Sequence, residues 1–102
     1  MTAHLIAARG LPANPVDAAR VFASEMAPEV REKAASGCII IFDHADHTHA
    51  KWRLAMVQEL AREATPARIN AVVGNDGEGI AQVQTYLDGA PGITGQVFTL
   101  AG

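Results

Sequence analysis

Apolar residues along this chain come in two kinds of run. Three runs are short and almost unbroken: His4–Ala8 (HLIAA), Cys38–Phe42 (CIIIF) and Ile69–Val73 (INAVV). Each reads as a buried strand, and the lack of alternation in Cys38–Phe42 reads as burial on both faces, as in a parallel sheet. Between them the apolar residues take helical spacing. Val16, Ala19, Phe22, Ala23, Met26 and Val30 predict a helix over 15–35. Asn14 suits its cap, Pro15 its first turn, and Asp17 the positive end of its dipole. Pro28 should kink it, and Ser36-Gly37 should end it. A second helix is predicted over 48–64, with two apolar stripes. Ala50, Leu54, Val57, Ala61 and Ala64 are assigned to the sheet. Trp52, Met56 and Leu60 are left for another helix or another chain.

After the third strand, residues 74–79 (GNDGEG) read as a flexible loop, 80–87 as a short helix, 89–92 as a turn and 96–100 as a last strand. Strands alternating with helices predict an α/β fold: a parallel sheet joined by right-handed crossovers. No internal repeat stands out, and residues 1–102 form one domain.

Composition narrows the function classes. The chain has 102 residues, 49% hydrophobic and 19% charged, which is globular. Its formal net charge of −3 gives no basic footprint, so nucleic acid is not an expected partner. The single cysteine, Cys38, lies inside an apolar run and reads as a buried strand residue. One cysteine makes no internal disulfide, no segment reads as a signal peptide, and no stretch reaches membrane-spanning length. The expectation is a cytoplasmic protein without a membrane partner.

Three motifs resemble the short-chain dehydrogenase/reductase family. Lys51-x-x-Leu54, Leu60-Ala61-x-Glu63 and Arg68-Ile69-Asn70-Ala71-Val72-x-Gly74 look like the family's catalytic-lysine helix and the strand after it. Ile93-Thr94-Gly95-Gln96-Val97 with Ala101-Gly102 looks like its carboxyl-terminal motif, and Pro28-x-Val30 before Gly37-x-Ile39-Ile40 like the helix and strand preceding the active site. The resemblance covers most of this chain but corresponds only to the second half of the family's fold. It implies a partial Rossmann-like three-layer sandwich: about four parallel strands, two long helices on one face and a short helix on the other. The glycine-rich cofactor turn of the family, G-x-x-x-G-x-G, has no counterpart here.

The resemblance also places the site residues. The family pairs a catalytic tyrosine with a lysine four residues later, one helical turn apart, so that both groups point the same way. Here Lys51 keeps the lysine position, His47 stands where the tyrosine belongs, and His44 lies where the family's serine is expected. These three are the candidate catalytic positions, expected to be inactive. Gly74 and Thr94 are the candidate cofactor contacts. Phe22, Met26, Trp52, Met56 and Leu60 are the candidate interface, because the family's two long helices pack on a second subunit.

His44, Asp46, His47 and His49 suggest a metal site, but their spacing matches no common zinc pattern, and no metal is expected. The expected function is a non-catalytic subunit without a cofactor of its own, forming a homo-oligomer or a hetero-oligomer with a full-length reductase. The alternatives are an oxidoreductase that completes an NAD or NADP site with another chain, and a metal- or ligand-binding module built on residues 43–49.

Overall fold

The computed structural model describes residues 3–101. Strands β1 (His4–Ala8), β2 (Cys38–Phe42), β3 (Ile69–Val73) and β4 (Val97–Thr99) form one parallel four-stranded sheet in sequence order. β2 and β3 are buried at every position, as their unbroken apolar runs require. β1 is an edge strand and is buried only at Ile6 and Ala8, so its run is covered on one face alone.

The first crossover is a single helical rod in three parts. Helix α1 (Pro15–Val21) is capped by the Asn14 side chain, which accepts the Asp17 N–H at 3.0 Å. A π-helical turn (Phe22–Met26) follows, and α2 (Ala27–Lys33) completes the rod. In the π-helical turn the Ala27 N–H donates to the Phe22 carbonyl, five residues back. Pro28 has no N–H, and its ring would collide with the carbonyl four residues earlier, so the wider turn absorbs the irregularity expected there. Gly37 ends this crossover with a φ of 81°.

Helix α3 (Ala50–Ala64) lies beside this rod on the same face of the sheet. Its stripes are not phased as the sequence predicts. Arg53, Val57, Leu60 and Ala61 are the buried positions, while Leu54 is 39% exposed. Trp52 and Met56 turn toward the first rod and are half-buried. The Phe22, Phe42 and Trp52 rings form a triangle with centroids 5.5–5.7 Å apart. The second stripe is therefore met by a helix of the same chain. Phe22 and Leu60, read from sequence as interface residues, are 0% and 3% exposed and belong to the core. A helix flanked by another helix on one sheet buries two adjacent stripes without any second subunit.

Helix α4 (Gly77–Asp88) starts three residues earlier than predicted, inside the segment read as a flexible loop. Asp76 causes this by accepting the Glu78 and Gly79 N–H groups at 3.2 Å. Its Ile80, Val83 and Leu87 cover Ile39, Ile41 and Val72 on the opposite face of the sheet from α3. All three strand-to-strand steps run the same way across the sheet. Crossovers of one hand would then place every helix on one face, so the third has the opposite hand to the first two. This corrects the expectation of uniformly right-handed crossovers.

Two polar side chains of the β3 region hold that crossover. Arg68 donates through Nη1 to the carbonyls of Leu87, Ala90 and Ile93 at 3.0, 2.8 and 3.4 Å. Asn70, buried within the strand, donates to the Ile93 carbonyl at 3.1 Å and accepts the Gln96 N–H at 3.0 Å. Among the described residues no helix is long and apolar enough to cross a membrane.

Candidate functional site

The carboxyl ends of the strands converge on one polar edge, the usual place for a ligand in an open α/β sheet. β2 ends in Asp43, which draws in the segment after β1. The Gly10 N–H donates to Asp43 Oδ2 and Arg9 Nη1 to Asp43 Oδ1, both at 2.9 Å. Arg9 also donates to the Asn75 side chain and, at 3.3 Å, to the Gly74 carbonyl. The hydrogen bond from Gly10, assisted by Arg9, holds the Asp43 carboxyl below its ordinary value of 3.8. Its contribution to stability is therefore complete above the ordinary carboxylate range and is lost as pH falls through and below it. We expect Asp43→Asn to lower the urea midpoint at pH 6, with the gap to the parent protein narrowing as pH falls through the ordinary carboxylate range and below it. A gap independent of pH would remove the carboxylate from this account.

Gly74 closes β3 with a φ of +144°. A Cβ there would sit 3.0 Å from Leu100 Cβ and 3.3 Å from His44 Nε2, so glycine is what lets β4's exit and His44 approach. Thr94 lies elsewhere. Its hydroxyl accepts the Ile69 N–H at 3.2 Å, at the opposite end of β3. The two candidate cofactor contacts are thus separated by the length of a strand, and the structure does not bring them into one site.

Residues 44–49 lead into α3. Asp46 accepts the Thr48 N–H at 2.9 Å and the Thr48 hydroxyl, which forms the 3₁₀ turn His47–His49. Those bonds hold the Asp46 carboxyl below its ordinary value. His44, Asp46 and His47 are exposed, but His49 is buried and committed. Its Nδ1 accepts from Trp52 Nε1 at 2.9 Å, so Nε2 carries the hydrogen and donates to the Ala13 carbonyl at 2.9 Å. Among the described residues no three His, Cys, Asp or Glu side chains gather where they could share a metal ion.

Lys51 is exposed on α3, one helical turn beyond His47. The chain's one tyrosine is Tyr86. It sits on α4, across the sheet, 55% exposed, with its ring 6.2 Å from that of Phe98. A tyrosine–lysine pair therefore does not assemble within this chain. The sequence reading missed Arg53, which is 6% exposed and lines two clefts at the polar edge. The signal was present: Arg53, Val57, Leu60 and Ala61 fit one helical stripe as well as the series that included Leu54.

A protein-family model described as short chain dehydrogenase-like protein matches residues 6–100. The chain belongs to this SDR-like family. No curated protein and no solved structure matches it. In this short-chain dehydrogenase-like chain the lysine helix is α3 and the Arg68–Gly74 motif is β3 with its approach. The Ile93–Val97 motif is the turn that Arg68 and Asn70 pin ahead of β4. Its motifs are thus spent largely on joining α4 and β4 to the sheet.

Proposed function

We propose that this chain is a non-catalytic short-chain dehydrogenase/reductase-like subunit that acts by association, with a copy of itself or with a full-length reductase. The observation that carries the reading is Tyr86, which lies on α4 on the face of the sheet opposite Lys51. A tyrosine that transfers a proton with a lysine lowering its pKa needs the two groups close together on one side of the sheet. His47 occupies the tyrosine's place in the spacing, exposed and without a phenol's chemistry.

The α1–α3 layer supports association. Val16 is 75% exposed, and Met26, Trp52 and Met56 are half-buried along the seam between the two rods. Phe22 and Leu60 act from behind this layer, as its packed support. Light scattering decides the matter: a mass of two or more 10.7 kDa chains, or a complex with a reductase purified from the native host, is the expected result. A lone 10.7 kDa species that captures no reductase defeats the reading. Titration with NADH and NADPH tests its second half, with Trp52 as the fluorescence donor. Stoichiometric binding to this chain alone would overturn the non-catalytic assignment.

A further inference from the structure

Arg53 is a buried cation with most of its hydrogen-bonding capacity unspent. A guanidinium has five N–H donors, and leaving such a group buried without acceptors is costly. Among the described residues it has one acceptor, the Asp43 carbonyl, 2.9 Å from Nη1. The Phe42 and Trp52 rings flank it, with centroids 4.6 and 5.8 Å from Cζ. Nε is buried and has no partner. The nearby Asp43 carboxylate is committed to Gly10 and Arg9.

This side chain reaches the wall of a cleft of about 410 Å³ between residues 44–47, the start of α3 and β4. The cleft's apolar lining includes Leu54, which is 39% exposed, with Val73 and Val97. His44, Gln96 and Thr99 add polar groups to the lining. That volume lies in the range of small-molecule sites, and an apolar lining with a few placed polar groups is their usual chemistry.

We propose that this cleft binds a small monocarboxylic acid, with its carboxylate on the Arg53 guanidinium and its hydrocarbon body against Leu54, Val73 and Val97. One buried cation matches one negative charge. A phosphate dianion would leave a charge unbalanced, beside the Asp46 carboxylate at the cleft margin and in a chain of net charge −3. It would also leave the apolar lining uncovered. A neutral alcohol of the same length would cover that lining but leave the guanidinium unanswered. The site stands apart from the association reading, since neither a second subunit nor a nicotinamide cofactor is needed to form it.

The probe is hexanoate, followed through Trp52, the chain's one tryptophan, and by calorimetry. Saturable binding with a Kd of about 1 mM or tighter is expected, with hexanol and inorganic phosphate at least about tenfold weaker. Arg53→Lys keeps the charge but not the planar fork, and should weaken binding about tenfold. Leu54→Asp changes an exposed position, so folding should survive, and its carboxylate should abolish binding. Circular dichroism checks that both variants are folded. No saturation by hexanoate, equal binding by Leu54→Asp and the parent, or phosphate binding as tightly as hexanoate would each overturn the proposal.

Discussion

Phe22→Ala is expected to lower stability by about 3–5 kcal/mol. Phe22 is fully buried where the first rod, α3 and β2 meet, and its ring contacts those of Phe42 and Trp52. The π-helical turn begins at Phe22, so a neighbouring residue is poorly placed to fill the space it leaves. A domain of this size has about 5–15 kcal/mol in total, and the variant should be marginal or unfolded at room temperature. Urea unfolding followed by Trp52 fluorescence measures the loss. A change below about 1 kcal/mol would mean that the ring does not occupy the core. The same measurement separates the two readings of Phe22, core or interface. A residue reserved for a partner subunit would change association, whereas a core residue changes the stability of the single chain.

Arg68→Ala is expected to cost about 2–3 kcal/mol, because a charged donor leaves three carbonyls at once. The damage should be local as well as global. Those carbonyls belong to the end of α4 and the turn after it, which hold the helix over Ile39, Ile41 and Val72. Hydrogen exchange should therefore accelerate in α4 and β4 before it does in α1 or α3. Uniform acceleration across the sheet would show that Arg68 does not act as the clasp of this crossover.

The location of the elements was legible because local chemistry sets it. Asn14 and Pro15 start the first helix, Ser36 and Gly37 stop it, and Pro28 follows directly on the turn where the α-helical register gives way. The family was legible for a similar reason: Lys51, the 68–74 motif and the 93–97 motif are ordered strings whose spacing survives in one dimension. The start of α4 was missed although Asp76 signals it, because glycines at 74, 77 and 79 read as loop chemistry and outweighed one cap.

The candidate site was less legible. Lys51, His47 and His44 follow from the family resemblance, and they lie around the start of α3. Their relation to Tyr86 does not follow, because it depends on which face of the sheet α4 covers. Arg53 was hidden for a related reason. A charged residue in a helix is read as solvated, and only the Asp43 carbonyl and the Phe42 ring show where this one goes.

The sequence by itself determined the strands, the helices, the parallel sheet and the family, since runs, caps and motif spacing are properties of neighbours along the chain. Only the tertiary structure decided that α4 crosses to the far face and that Phe22 and Leu60 are core. Those outcomes turn on which surfaces remain uncovered once the first two crossovers have packed, and that competition has no one-dimensional trace.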